Sequence, residues 1–299
     1  MDWDKPFHDL LPGDGKILTR RLQYNPNRRV VFLVSTPQTG EMFILKMVKP
    51  SDFDEFFSKV QAIHNSPLAS SIILPRLVSY SSRESAFLYE YIPGIQIKKL
   101  EKCKRSELKS FLFREVVKIL KEVHQTLLPA IPPWNPEINE IVRMYNLLGG
   151  LKLCHHSTKQ QIVAVIQPVV DRIAEFLSWQ DHTYSHLIHN TFSEKHIIYQ
   201  SDNSNSYIRA RLGVLDWDSV VLGPREKDVG SFLLRFANKK EDCRFFINLY
   251  ENQTGFGLNR ELLNCFLQYR IMLRFLRRGL KCNQLDENYF SLFGRLRDI

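Results

Sequence analysis

The sequence predicts an α+β fold, β-rich up to residue 92 and mainly helical beyond it. Two observations carry that reading. Between residues 16 and 91, runs of β-branched and aromatic residues are broken by Pro, Gly and Asn, the pattern of short strands joined by turns. From about residue 106 the apolar residues recur at helical spacing instead.

The elements follow in order. Residues 29–34 (Arg-Val-Val-Phe-Leu-Val) and 42–47 form a hairpin through the turn at 37–40, and Lys46 stands near its end. The turn before it, 24–28, contains no glycine. Glycine lets backbone N–H groups approach phosphates, so Arg28 and Arg29 would have to do so by side chain, unless the segment is an ordinary solvated turn. Residues 51–63 read as a helix with Ser51 as N-cap, Asp54 three positions on, and Phe53, Phe56, Phe57 and Val60 as its apolar stripe. Strands are expected at 72–80, interrupted by Pro75, and at 87–91, ended by Pro93 and Gly94. Helices follow at 108–127, 139–153 and 160–179, with a proline-rich break at 129–136. The polar run 201–206 is a turn between two strands. The last helix, 260–281, carries Arg270, Arg274, Arg277, Arg278 and Lys281 on one face. That face is either solvated or a dock for an acidic partner.

Composition narrows the class. The chain has 299 residues and a formal net charge of +9. It is long enough to bury a sizeable core, and its field favours anions over a polycationic partner. No apolar run approaches the roughly 18 residues of a membrane span, so no membrane role is expected. The five cysteines are scattered and without metal-ligand spacing, and the N-terminus is polar, which fits a reduced, cytoplasmic protein. Nucleic acid is not expected, for want of any recognisable binding module.

The chemistry concentrates between residues 187 and 228. Leu187-Ile188-His189-Asn190-Thr191-Phe192-Ser193-Glu194-Lys195-His196 is followed by Gly213-Val214-Leu215-Asp216-Trp217-Asp218, then Gly223-Pro224 and Asp228. Together with Phe43-Ile44-Leu45-Lys46 and Phe87-Leu88-Tyr89-Glu90-Tyr91-Ile92-Pro93-Gly94, this ordered set resembles the aminoglycoside phosphotransferase and choline kinase group. The resemblance covers most of the chain. It implies a bilobal protein-kinase-like fold: a β-rich N-lobe with one helix at 1–92 and a helical C-lobe at 93–299, the latter holding the catalytic loop, metal site and acceptor pocket.

The same resemblance assigns roles. Lys46 would hold the phosphates of ATP or another nucleoside triphosphate, paired with Glu55 or Asp54. Glu90, Tyr91 and Ile92 would form the hinge that binds the nucleotide, with Arg28 near its phosphates. Asp216 would ligate Mg²⁺ or Mn²⁺, joined by His196, unless His196 bonds a phosphate or is a core histidine, and by Asp218, unless Asp218 is only a helix cap. His189 would brace the loop, and Asp228 would anchor it through its backbone. The chain departs from the family pattern at two positions. Thr191 stands where the catalytic Asp belongs, and His196 where a metal-binding Asn belongs. A threonine hydroxyl can orient an acceptor but is too weak a base, and general-base help is worth roughly 10²–10⁴-fold in rate. Glu194, in the same loop, is the candidate substitute. Imidazole suits Mn²⁺ or Zn²⁺ better than Mg²⁺.

Two functions are therefore expected. One is an ATP-dependent phosphotransferase acting on a hydroxyl of a small molecule or of a peptide Ser or Thr, including the kind of phosphorylation used in peptide natural-product maturation. The other is a pseudokinase that binds nucleotide weakly or not at all and works as a scaffold through its basic C-terminal helix.

Overall fold

The computed structural model describes residues 10, 17–25, 29–102, 106–135, 186–201, 210–234 and 240–282, with isolated positions between 160 and 175. The chain divides into two compact units, one of residues 1–104 and 195–218, the other of 105–194 and 219–299. The sequence-based boundary at residue 92 falls inside the first of these units. Residues 195–218 join the first unit because their strands pair with residues that follow the expected hinge.

The first unit is built on a five-stranded antiparallel sheet. Its strands are β1 (Leu18–Asn25), β2 (Arg29–Thr36), β3 (Glu41–Val48), β4 (Leu77–Ser81) and β5 (Ala86–Glu90), in the order β1-β2-β3-β5-β4. Alternation along β3 sets the two faces. Phe43, Leu45 and Met47 pack with Val34 and Leu88 on one side. On the other, Val48 and Phe87 pack against α1 (Phe53–His64) through Phe53, Phe56 and Val60, and the short helix α2 (Leu68–Ser71) follows. The Phe53 and Phe56 rings lie 4.9 and 4.6 Å from Phe87, offset or tilted as aromatic pairs prefer. Ser51 does not cap this helix: a short 3-10 turn, Pro50–Asp52, precedes it, and the Ser51 hydroxyl donates to Asp52 at 2.8 Å.

A second, three-stranded sheet completes the unit: β6 (Ile95–Gln96), β8 (Ile197–Gln200) and β9 (Arg211–Val214), in the order β6-β8-β9. Gly94 makes it possible. Its φ is +136°, and a Cβ there would lie 2.5 Å from the Tyr199 carbonyl oxygen. Only glycine accepts both the conformation and the approach. Val214 then donates its N–H to the Ile73 carbonyl at 2.9 Å, which ties the end of β9, two residues before Asp216, to the rest of the unit.

The second unit is helical: α3 (Ser106–Gln125), α4 (Arg225–Leu233), α5 (Lys240–Thr254) and α6 (Arg260–Cys282), with one small antiparallel pair, β7 (Leu187–Ile188) and β10 (Val221–Leu222). Phe113, Phe232 and Phe246 meet at its centre, with ring centroids 4.9–6.1 Å apart. Trp134 is a core residue, buried against Phe266 at 5.6 Å. The expected helix at 139–153 lies outside the described residues. Described positions between 160 and 175 are helical, as expected. Cys243 and Cys265 are free and buried, and burial pushes their thiols up to about 12 and about 11, which makes them inert.

Candidate active site

In the first unit, four charged side chains close on one another. Lys46, on β3, pairs across the sheet with Val31 on β2, so both side chains share a face. Arg29 lies two residues before Val31, and the two-residue period puts it on that face too. Asp216 follows β9, and Asp218 lies in the 3-10 turn Trp217–Ser219. Trp217 fixes that turn by donating its indole N–H to the Val214 carbonyl at 2.9 Å. Asp216 itself has φ +71°, a left-handed conformation that Asp tolerates better than most residues and that is costly enough to need the surrounding structure to hold it.

The contacts are short. The Lys46 ammonium reaches Asp216 Oδ1 at 2.6 Å and Asp218 Oδ2 at 2.9 Å. It also lies 4.9 Å from the Phe56 ring centre. The Arg29 guanidinium donates to both oxygens of Asp216, at 2.8 and 2.9 Å, and to Asp218 Oδ2 at 2.6 Å. His196 Nε2 stands 3.5 Å from Asp216 Oδ2. Burial would raise the Asp216 carboxyl, but Lys46, then Arg29 and His196, hold it well below its ordinary value. Burial alone would lower the Arg29 guanidinium; Asp218 and Asp216 raise it above its usual range. Tyr89 is pushed well up by burial and by the same two carboxylates.

Several expected partners are elsewhere. Glu55 does not pair with Lys46. Its carboxylate binds Lys59 one turn along α1 at 2.7 Å, and Lys46 is taken by the two aspartates. Arg28 lies outside the described residues. Glu90 pairs with Arg76, the Tyr91 N–H donates to the Met42 carbonyl at 3.2 Å, and Ile92 is buried. Nor do the carboxylates fit a divalent ion as they stand. Three of their four oxygens accept from Arg29 or Lys46, and the fourth, Asp218 Oδ1, is buried with no partner among the described residues. Among the described residues no group of three or more His, Cys, Asp or Glu side chains is arranged to hold a metal.

The loop 189–194 belongs to the second unit and is held from several sides. Asp228 lies in the first turn of α4 and accepts the His189 backbone N–H at 2.6 Å. It is fully buried, with His124 Nε2 3.5 Å away. Burial would raise its carboxyl, but His124, and after it His189, bring it below its ordinary value. Asn190, at φ +68°, donates its side-chain amide to the Ser219 carbonyl at 3.0 Å. Arg270 donates to the Asn190 carbonyl and to the Ser231 hydroxyl, both at 2.9 Å. Arg274 reaches Glu194 Oε1 at 3.3 Å. Thr191 Oγ1 lies 3.3 Å from His189 Nδ1. Glu194 is buried, and its Oε2 has no partner among the described residues. Thus the two described arginines of the basic helix, expected on a face that is either solvated or a dock, both bond the loop, Arg270 from a half-buried position and Arg274 with its side chain still exposed. The side chains of Arg277, Arg278 and Lys281 lie outside the described residues.

An antiparallel sheet bearing a strand-end lysine and one helix, followed by a helical part that holds the His189 loop, is the protein-kinase-like fold. The chain belongs to the phosphotransferase enzyme family, whose model matches residues 26–260. Among solved structures it is similar to a choline kinase from Streptococcus pneumoniae, with a TM-score of 0.63, 13% identity, and 94% of this chain and 92% of that one covered. It is also similar to a spectinomycin phosphotransferase solved with ADP and spectinomycin, with a TM-score of 0.60, 18% identity, and coverage of 94% and 89%. At such identities the likeness establishes the fold alone. No curated protein matches the chain by sequence. No helix among the described residues is long and apolar enough to cross a membrane.

Proposed function

We infer that the chain is an ATP-dependent phosphotransferase that moves the γ-phosphoryl group to a hydroxyl of a small molecule or of a peptide Ser or Thr. The observation that carries this is Lys46: a nearly buried ammonium at the end of β3, aimed at two carboxylates that follow β9, in a chain of a phosphotransferase family. A buried lysine is costly unless paired. Its place suits a cation that steadies the charge of a triphosphate. The strand end at Glu90–Ile92 is where the nucleotide base would be held.

Phosphoryl transfer asks the protein to hold phosphates, neutralise charge and orient the acceptor. In this reading Lys46 and Arg29 supply positive charge, and Thr191 orients the acceptor hydroxyl. Its proton passes through Thr191 Oγ1 to His189 Nδ1, while Glu194 is held aside by Arg274. The Mg²⁺ or Mn²⁺ expected with ATP has no step in it, because the donors it would use are engaged. The net charge of +9 favours an acceptor bearing acid groups over a polycation. The test is calorimetric titration of the whole protein with ATP, alongside Lys46→Met. Binding that Lys46→Met abolishes is expected; no ATP binding by the wild-type protein would overturn the assignment.

A further inference from the structure

We propose that Arg29 is a resident cation that takes the place of a divalent metal at the Asp216–Asp218 pair. The pair has the marks of a metal site: two carboxylates two residues apart, after a strand, with one oxygen buried and without a partner among the described residues. Yet a cation already sits between them. The Arg29 Nη1 atom bridges the two acids, 2.8 Å from Asp216 Oδ1 and 2.6 Å from Asp218 Oδ2, while Nη2 takes the other Asp216 oxygen at 2.9 Å. This is the fork geometry by which a guanidinium grips a carboxylate, and it engages both oxygens of Asp216.

Charge completes the argument. Two carboxylates face one guanidinium and one ammonium, so the tetrad is neutral. Adding a divalent ion would leave two uncompensated positive charges in a mostly buried place, where charge–charge terms are several times stronger than in water. Mg²⁺ bonds oxygen at about 2.0–2.1 Å and demands near-ideal octahedral geometry, so it cannot share these oxygens with N–H donors. An ion must therefore expel Arg29 before it binds. Arg29 is also delivered by β2 of the same unit, so no dilution weakens it. Without Arg29 the cluster would carry one net negative charge and free oxygens, an ordinary weak divalent site.

The inference concerns the acids and not the reaction, so it stands or falls apart from the nucleotide reading. The experiment is Mn²⁺ binding to the whole protein, followed by electron paramagnetic resonance, with Mn²⁺ alone as the probe. The wild type should leave Mn²⁺ free up to about millimolar concentration, the weak end for carboxylate sites. Arg29→Gln, which keeps much of the side-chain length without the charge, should gain about tenfold or more in affinity, and adding Asp216→Asn should remove that gain. Two results would overturn the proposal. One is micromolar Mn²⁺ binding by the wild type that Asp216→Asn abolishes, which needs no Arg29 variant to fold. The other is a folded Arg29→Gln protein that binds Mn²⁺ no better than wild type. A protein that binds no ATP would still give a decisive Mn²⁺ result.

Discussion

Arg29 and Asp216 lie 187 positions apart in the chain and meet through two parallel hydrogen bonds of 2.8 and 2.9 Å. One end of β2 is thereby fixed to the end of β9. Both side chains are mostly buried, so solvent screens the pair only in part. Truncating Arg29 leaves Asp216 and Asp218 to share Lys46. Arg29→Ala is expected to lower the free energy of unfolding by about 2 kcal/mol, the usual cost of stripping a charged hydrogen-bond partner from a part-buried group. In a double-mutant cycle in urea, Arg29→Ala and Asp216→Asn should be strongly non-additive. Additive effects would mean the contact contributes nothing to stability.

Gly94→Ala tests the second sheet. The new methyl would stand 2.5 Å from a backbone carbonyl oxygen, at a φ that side chains rarely adopt. Overpacking and strain each cost about 1–3 kcal/mol, so the substitution should destabilise the protein by at least about 2 kcal/mol. A thermal melt unchanged from wild type would show that β6 and β8 are not held together at this point.

Arg270→Ala separates a bracing role from a docking one. An arginine on a solvated face is worth little. One that satisfies the Asn190 carbonyl and the Ser231 hydroxyl should cost about 1–3 kcal/mol when removed and speed amide hydrogen exchange in residues 189–194. Unchanged exchange there would rule out the bracing role and return Arg270 to a face that is solvated or a dock.

Arg270 also marks where the sequence stops being legible. The order of elements was readable because strand and helix periods differ, and Lys46, Asp216 and Asp228 were readable because each sits at a fixed place beside a strand or turn. Helical spacing revealed that Arg270 and Arg274 share a face, but whether a face meets water or another segment depends on tertiary packing. Glu55 shows the same limit: the sequence puts a carboxylate of the nearest helix within reach of Lys46, but a lysine one turn along that helix, Lys59, takes it. Arg29 was visible as a basic residue near the turn. Its grip on the aspartates depends on β2 and β3 register, which puts Arg29, Val31 and Lys46 on one face. Hairpin alternation carries that signal once the turn at 37–40 is fixed.

Acid should weaken the fold through Asp228. Its folded-state value lies below the ordinary 3.8, so the unfolded chain binds more protons in the interval between the two. The stabilisation is complete above 3.8 and is lost as pH falls through the lower, folded value. Asp216, also depressed, acts in the same direction. Urea midpoints should therefore be flat above this interval and fall within it, and Asp228→Asn should flatten part of that slope. A midpoint that rises on acidification would contradict the geometry around His189 and His124.

The loop chemistry turns on Thr191 and His189. Thr191 cannot act as a base by itself, but its hydroxyl lies 3.3 Å from a ring nitrogen of His189, which can. If the two act as a relay, removing either stops the same proton transfer. Thr191→Ala and His189→Gln should each lower the rate of phosphoryl transfer, read as ATP turnover in single-turnover conditions, by about 10²-fold, and the double variant should fall no further. Nucleotide affinity should stay as in wild type, because neither residue belongs to the unit that holds Lys46. Glu194→Gln offers the contrast. Its carboxylate is buried beside Arg274, so the variant should keep most of its turnover. Were Glu194 the base, this substitution would be the damaging one, and the Thr191 and His189 changes would be mild. That pattern would exclude the relay and place the proton on Glu194.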